Sequence, residues 1–174
     1  MNLNIRLRRA RVSDLETISE LSVSSFTAAF EAVNSPENMA SYLQQVFSRE
    51  VMEAEFSNPN NFFILAEYGE ELAGYAKLRS DSEEPCVRVT RAIELERLYT
   101  ATELIGQGVG ALLMQEAIRI ARQEHCESLW LGVWEHNTGA IRFYQRQGFL
   151  DVGSHAFMLG EDRQIDRIME LPLL

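Results

Sequence analysis

The chain has 174 residues, of which 46% are apolar and 24% are charged, so it can bury a substantial core in a single domain over residues 1–174. Its 16 Lys and Arg against 26 Asp and Glu give a net charge of −10, which repels a phosphate backbone and disfavours nucleic acid as a partner. No stretch approaches the ~18 consecutive apolar residues of a membrane span and no signal-peptide core opens the chain, so we expect a cytoplasmic protein without membrane contact.

The first half of the chain has the patterns of antiparallel strands and three helices. Residues 4–9 alternate apolar and charged side chains, which is typical of a half-buried strand. Ser13 and Glu16 have capping-box spacing before one helix, and Ser35-Pro36 marks the start of another because the first helical turn tolerates proline. The other elements predicted in this half are a short helix over residues 49–56 and strands over 62–68, 71–79 and 92–100.

The second half alternates helices with strands. The predicted elements are a helix from the glycines near residue 106 to about 122, a strand over 129–134, a helix over 138–147 and strands over 149–158 and 164–171. Residues 129–134 are apolar on both faces, which is typical of a central strand covered on both sides. These patterns predict an α/β (α+β) fold with a mixed central sheet of about six to seven strands flanked by helices.

Three glycines, Gly106, Gly108 and Gly110, lie at the start of the predicted second-half helix. Glycine permits unusual dihedrals and close backbone approach, and the first N–H groups of a helix attract an anion. A diphosphate suits such a loop because several amides can converge on its oxygens. The alternative is a loop in which glycine only permits a tight turn.

The same loop matches the dinucleotide fingerprint G-x-G-x-x-[GA], with Glu127 near the place of a ribose-binding acid. In a Rossmann unit, however, the glycines follow the strand almost at once, whereas here residues 100–105 intervene. A Walker loop is excluded because no Gly-Lys-Ser or Gly-Lys-Thr occurs. Phosphate binding therefore stays as an interpretation, while both common nucleotide folds are disfavoured.

A second motif runs from Asn137 to Phe149, on the helix after the central strand. Asn137 occupies an N-cap position, so it either starts the helix or contacts a ligand. Tyr144 adjoins Phe143, so it either packs in the core or takes part in catalysis. Spacing alone leaves both alternatives open.

Together, the two motifs resemble the Gcn5-related N-acetyltransferase (GNAT) superfamily, which transfers an acyl group from acetyl-CoA to an amine. The resemblance covers nearly the full length and is most specific over residues 92–149: residues 94–100 resemble the family's fourth strand, 107–111 its pyrophosphate loop and 137–149 its cofactor-wedge helix. The run from His155 to Met169 is similar to the tail of bacterial spermidine, spermine and diamine acetyltransferases. The resemblance implies a GNAT-like sheet with a bulge in strand 4 that splays from strand 5.

The resemblance also implies which residues bind acetyl-CoA. The pantetheine arm would contact Leu98, Tyr99, Thr100 and Asn137, in a gap where strand groups need another partner. Main-chain amides would hold the pyrophosphate; they belong to Gly106, Gln107, Gly108, Val109, Gly110 and Ala111. Ile105 stands where the family usually carries Arg or Gln, so some affinity is expected to be lost. No metal is expected, because Cys86 and Cys126 lack zinc-ligand spacing.

The chemistry needs a base, an oxyanion donor and an acid, because a protonated amine has no lone pair and a thiolate must leave. By resemblance, Glu94 is the first candidate base, and Glu96 is the alternate on the same face by the two-residue period. Gly132 stands where another branch of the family carries its base. The Leu98 or Tyr99 N–H would bind the oxyanion and Tyr144 would act as general acid, with direct transfer in a ternary complex.

The acceptor is expected to be a small amine, and the tail resemblance favours polyamines over peptide N-termini or protein lysines. Carboxylates that could receive a polycation are Glu31, Glu37, Glu94 and Glu96. A rival interpretation is a non-catalytic acyl-CoA-binding module, which would keep the glycine loop and Asn137 without needing Tyr144 or Glu94. A homodimer through the last strand pair also stays open.

Overall fold

One mixed β-sheet of seven strands organises the chain, with the strand order β1-β2-β3-β4-β5-β7-β6. The computed structural model describes residues 4–173. The strands are β1 (Ile5–Arg9), β2 (Asn61–Tyr68), β3 (Glu71–Arg79), β4 (Ala92–Thr100), β5 (Ser128–Trp134), β6 (Leu150–Leu159) and β7 (Asp162–Pro172). The helices are α1 (Leu15–Phe30), α2 (Pro36–Phe47), α3 (Arg49–Ser57), α4 (Val109–Gln123) and α5 (Thr138–Arg146). The predicted mixed sheet flanked by helices is confirmed.

Helices cover both faces of the sheet and bury a separate apolar cluster on each. On one face, hereafter the α4–α5 face, Leu113 and Met114 of α4 pack on Ile93 and Leu129. On the other, the α1–α3 face, Ile18 and other residues of the three helices pack on Tyr75. Since β5 contributes buried residues between β4 and β7, it is the central strand that its apolar sequence predicted. None of the helices within residues 4–173 has the length and apolar content that crossing a bilayer requires.

The predicted start of α2 is confirmed, whereas the predicted cap of α1 is wrong. Ser35 accepts a hydrogen bond from the Asn38 N–H at 3.2 Å, with Pro36 as the first helical residue. At α1 the expected pairing of Ser13 with Glu16 is replaced by Asp14. Its carboxylate accepts from the Arg11 N–H at 2.6 Å and pairs with the Arg8 guanidinium at 2.7 Å. Ser13 lies inside a 3₁₀ turn over Val12–Asp14, so Asp14 and not Ser13 is the N-cap residue of α1.

A β-bulge interrupts β4 at Glu96. Lys77 of β3 lies opposite Arg97, but the next residue, Leu78, lies opposite Leu95, so Glu96 is an extra residue on β4. The insertion places Glu96 and Arg97 on the same face of the sheet, because the alternation of side chains restarts after the bulge. Leu95 packs on the α4–α5 face, whereas Arg97 lies over the Phe47 ring on the α1–α3 face.

Two cations and two carboxylates meet at this bulge, and we call them the bulge cluster: Glu55, Lys77, Glu96 and Arg97. The Lys77 ammonium, only 1% exposed, lies 2.9 Å from Glu55 and pairs with Glu96. The Arg97 guanidinium donates to both oxygens of Glu55, at 2.7 and 2.8 Å. Because each charge has a partner, the cluster is tolerated beneath α3, where an isolated ion would be strongly destabilising.

The N-terminal turn of α4 lies close to β3, where Gly74 leaves room for it. A Cβ at Gly74 would come within 2.6 Å of the Tyr99 carbonyl and within 3.2 Å of Val109 and Leu113. Any larger residue would push α4 or β4 away. The absence of a side chain at Gly74 therefore sets where the first turn of α4 sits.

Lys77→Met should lower the free energy of unfolding by about 3–5 kcal/mol, because Glu55 and Glu96 would lose the buried ammonium that neutralises them. Urea unfolding monitored by circular dichroism measures this loss. Arg49→Met is the matched control, since its pair with Glu53 is exposed to solvent and its loss should change stability far less. Equal losses in the two variants would contradict the structural role given to the bulge cluster.

Candidate active site

Strands β4 and β5 pair over only three residues and then separate. The parallel pairs are Ala92 with Ser128, Ile93 with Leu129 and Glu94 with Trp130. Beyond them, β4 continues to Thr100 paired with β3, and β5 continues to Trp134 paired with β7. The separation begins next to the bulge, which is where a bulged strand bends away from its neighbour. A gap therefore passes through the sheet between its two faces, as the family resemblance implied.

The register of β4 decides which backbone groups face this gap. The Ala101 N–H donates to the Ala73 carbonyl of β3 at 2.9 Å. Because N–H directions alternate along an antiparallel strand, the Tyr99 N–H also faces β3, while those of Leu98 and Thr100 face away from it. Buried backbone donors without a partner strand need another acceptor. Of the two predicted oxyanion donors, only the Leu98 N–H is aimed into the gap.

At the end of the gap, the glycine loop turns into α4 in a conformation that requires glycine. Gly106 and Gly108 have φ values of +81° and +92°, and Gly108 is the N-cap of α4. The first α-helical bond runs from the Leu112 N–H to the Gly108 carbonyl, so the amides of residues 109–111 have no acceptor within the helix. These donors and the helix dipole form a site for an anion.

The predicted set of phosphate donors has to be corrected at Gln107, whose amide is already bonded within the loop. Its N–H already donates to the Leu104 carbonyl at 3.1 Å, and its side chain donates to the Glu103 carbonyl at 2.9 Å. Both donors stabilise the loop itself. Ile105 is 67% exposed and adds no charge, so the site relies on main-chain groups.

The gap, the loop and α5 converge at Gly110. A Cβ at Gly110 would lie 3.6 Å from the Thr100 hydroxyl and 3.8 Å from the Phe143 ring, so β4, α4 and α5 meet there. On α5, the Asn137 side chain accepts from the Ala140 N–H at 3.1 Å. The interpretation of Asn137 as a helix cap is thereby confirmed, and its amide NH₂ group remains available as a donor.

Tyr144 is half-buried on α5, on the same side as the glycine loop. Its ring packs on Phe143 and Phe149, with centroids 5.3 and 5.8 Å away. Burial raises the pKa of Tyr144 to about 12, so the phenol is protonated throughout the neutral range. Among the described residues its hydroxyl has no hydrogen-bond partner. It can therefore donate to a ligand.

Glu94 and Glu96 both lie on the α1–α3 face, as predicted, but their environments differ. The Arg79 guanidinium lies 3.7 Å from Glu94 and 3.6 Å from Glu96. Burial raises the pKa of Glu94, opposed by the Ser82 hydroxyl and the neighbouring cations. Burial acts on Glu96 too, but Arg97 and Lys77 hold the pKa of that carboxyl below its ordinary value. Glu94 is therefore the more basic of the two, and Glu96 mainly stabilises the bulge.

A carboxylate of β7, which the sequence analysis did not select, lies beside Gly132. A Cβ at Gly132 would be 3.3 Å from the Asp166 carboxylate and 3.7 Å from the His155 ring. The Nδ1 atom of His155 also forms a hydrogen bond of 2.8 Å with the carboxylate of Glu84, in the loop between β3 and β4. Only the alternation of β7 could have indicated that Asp166 faces inward. His155 lies 11 residues from Asp166 in sequence and Glu84 lies 82 residues from it, so no local motif joins the three.

Comparison with known proteins identifies the family. The model of the acetyltransferase (GNAT) family matches residues 17–149, more than half of the chain. The chain belongs to the GNAT family. It is therefore an acyl-CoA-dependent N-acetyltransferase.

Individual relatives of this GNAT enzyme match it over most of their length. An uncharacterized N-acetyltransferase in the pepI 3' region of Lactobacillus delbrueckii subsp. lactis is 32% identical over 98% of each chain. A spermidine N(1)-acetyltransferase of Thermoplasma acidophilum is 26% identical over 84% of this chain and 89% of its own. The crystal structure of the PaiA N-acetyltransferase from Thermoplasma acidophilum in complex with coenzyme A has a TM-score of 0.76 at 24% identity, covering 97% and 99% of the two chains. This last match supports the fold.

Gly108→Ala should weaken acetyl-CoA binding by about tenfold or more, because the α4 amides would lose their alignment with a charged ligand. Gly69→Ala is the matched control: it has φ +64° in the β2–β3 turn and, like Gly108, open space where a Cβ would lie. Both variants should lose about 1–2 kcal/mol of stability from left-handed strain. Calorimetric titration with acetyl-CoA separates the two effects, and an unchanged affinity in Gly108→Ala would contradict the loop's role.

Proposed function

We propose that this GNAT enzyme transfers the acetyl group of acetyl-CoA to a small primary amine, by direct attack within a ternary complex. The observation that carries the proposal is the continuity of the site. The gap between β4 and β5 leads, at Gly110, to the unpaired amides at the start of α4. A long ligand with a diphosphate at one end and a polar amide arm at the other matches this sequence of donors.

In this proposal acetyl-CoA lies with its diphosphate on the amides of residues 108–111 and its pantetheine arm along the gap. Leu98 and Thr100 supply the strand groups that face the arm, and the Asn137 NH₂ is a further donor. The Tyr99 N–H faces β3, so Tyr99 lines the site without donating a main-chain hydrogen bond to the arm. The coenzyme A complex of the structurally similar PaiA protein supports the choice of ligand.

The proposed chemistry divides among three groups. Glu94 takes the proton of the acceptor ammonium, since its raised pKa makes it the stronger base of the β4 pair. The Leu98 N–H stabilises the oxyanion of the tetrahedral intermediate. The Tyr144 hydroxyl donates a hydrogen bond to the departing thiolate. Because the pKa of Tyr144, about 12, exceeds that of a thiol, the hydrogen bond forms before the proton is fully transferred. Tyr144 then regains a proton from the attacking nitrogen.

A polyamine is the acceptor we favour. The spermidine N(1)-acetyltransferase relative and the net charge of −10 support a cationic amine. Peptide N-termini and protein lysines remain the alternative acceptors, and a homodimer and a cytoplasmic location remain predictions. The non-catalytic alternative is disfavoured by the protonated Tyr144 hydroxyl, which has no hydrogen-bond partner within residues 4–173 and lies next to the proposed cofactor cleft. Binding alone does not require such a group.

Thiol release from acetyl-CoA, followed with a chromogenic disulfide, tests the proposed function over spermidine, spermine, diamines, amino acids, aminoglycosides and peptides. We expect turnover with small cationic amines and the highest kcat/KM among polyamines, because the acidic surface raises the local concentration of cations. Turnover with peptides alone would show that the acceptor is a peptide amine and not a small cationic amine. An absence of turnover with every amine, while acetyl-CoA still binds, would favour the non-catalytic module.

Tyr144→Phe should lower kcat by about 10²-fold, because the leaving thiolate would lose its donor, while acetyl-CoA affinity stays within about twofold. Steady-state kinetics and calorimetric titration give the two quantities. Tyr68→Phe, at an exposed position on β2, is the control and should match the wild type. Unchanged turnover in Tyr144→Phe would remove Tyr144 from the mechanism.

A further inference from the structure

The carboxylates on the α1–α3 face differ in how their charge is compensated. Glu55 and Glu96 pair with Lys77, and Glu94 lies near Arg79. Asp166 differs from these: within residues 4–173 no lysine or arginine forms an ion pair with it, and the basic side chain nearest to it is the His155 ring at 4.0 Å. Its side chain is nevertheless only 16% exposed. Burying a carboxylate without a fully charged partner is unfavourable, so a bound cation would stabilise the charged form of Asp166.

His155 and Glu84 hold Asp166 in place without neutralising it. The other nitrogen of the His155 ring is 2.8 Å from Glu84, whose carboxylate also accepts from the Cys86 N–H at 3.2 Å. If His155 is protonated, its charge is shared with Glu84 and the trio keeps a net charge of −1. If His155 is neutral, the net charge is −2. Whenever Asp166 is ionised, the trio is therefore negative in either state of His155.

Aromatic rings lie on the same face of the sheet as this carboxylate. Trp134 lies directly opposite Asp166 in the β5–β7 pairing, and Phe30 of α1 packs on Trp134 with centroids 5.5 Å apart. Tyr42 of α2 packs on Phe157 at 5.5 Å and lies close enough to Asp166 to sense its charge. All four rings are half-buried, so part of each stays accessible to a ligand. Ring faces beside a carboxylate stabilise an ammonium and pack on its aliphatic carbons.

We propose that Asp166 is the specificity-determining carboxylate of the acceptor site: it binds a protonated nitrogen of the acceptor, is oriented by His155, and selects slender aliphatic amines that fit beside Trp134 and Tyr42. The proposal rests on the proposed function and deepens it. Asp166 lies over Gly132 on the β5 side of the gap, whereas Glu94 lies on the β4 side. An amine entering from the α1–α3 face therefore meets a carboxylate on each side of the gap.

The same placement has a consequence for pH. The groups that face Asp166 are His155 from β6, Glu84 beyond it and Tyr42 from α2. Burial raises the pKa of Asp166 to about 6, with His155 opposing the rise. The carboxylate is therefore charged above that value and neutral below it, so the KM for a cationic acceptor should rise as the pH falls below about 6.

Asp166→Asn is the decisive variant, assayed by thiol release with spermidine and propylamine at pH 8. The KM for each amine should rise about tenfold or more, while kcat and the KM for acetyl-CoA stay within about threefold. The rise of acceptor KM below pH 6 that we expect for the wild type should disappear. Asp151→Asn is the matched control, since Asp151 pairs with Arg167 away from the site and its loss should change none of these constants.

A thermal midpoint and a second variant, His155→Gln, test the proposal further in case Asp166→Asn gives no kinetic result. Asp166→Asn should raise the thermal midpoint at pH 8, because a buried carboxylate with a raised pKa destabilises the folded chain above that pKa. If the variant does not fold, His155→Gln replaces it, and its acceptor KM should rise about threefold through loss of orientation. An acceptor KM unchanged in a folded Asp166→Asn, or a fall in kcat alone, overturns the proposal.

Failure of the proposed function is recognised separately. If the wild type turns over no amine, calorimetric titration with spermidine alone replaces the kinetic test. Binding to the wild type that weakens about tenfold in Asp166→Asn but not in Asp151→Asn then supports the cation site without the transfer reaction. An absence of spermidine binding to the wild type overturns it.

Discussion

The β-bulge at Glu96 is the constraint on which the site depends. One extra residue in β4 bends the strand away from β5 and ends their pairing after three residues. It also points Glu96 and Arg97 to the same face, where Lys77 and Glu55 neutralise them. The bulge opens the sheet, and the ion pairs keep it in one register, because slipping β4 by a residue would bury those charges in the apolar core of the opposite face.

An opening in the middle of a sheet connects two environments that a closed sheet would separate. The α4–α5 face supplies main-chain donors and a protonated Tyr144, which suit an anionic cofactor and its leaving thiolate. The α1–α3 face supplies carboxylates and aromatic rings, which suit a cationic acceptor. We infer that the two substrates approach from opposite faces and meet in the gap, so neither has to leave before the other binds.

The acidic groups around the gap fall into two kinds. Those of the bulge cluster are matched by cations and serve mainly the fold. Asp166 is held by His155 with no matching lysine or arginine among residues 4–173, and its raised pKa reflects a charged form that the folded chain destabilises. Such a group lowers stability at neutral pH and is better explained by a ligand than by folding, since an asparagine would pack there without the unfavourable charge.

The amino-acid sequence by itself determined the elements, the central position of β5 and the two motifs, because hydrophobic periodicity, glycine and N-cap chemistry act between residues close together in the chain. It pointed correctly to Glu94 and Glu96 sharing a face, although the alternation it relied on breaks immediately after Glu96. It could not reveal the Arg8–Asp14 pairing before α1, the Gln107 donors that bond within their own loop, or Asp166 beside Gly132. The first two are local in sequence but form only in the turns that the folded chain adopts, whereas Asp166 and Gly132 lie on strands distant in sequence. Only the tertiary structure decides which of these groups meet and which charges find partners.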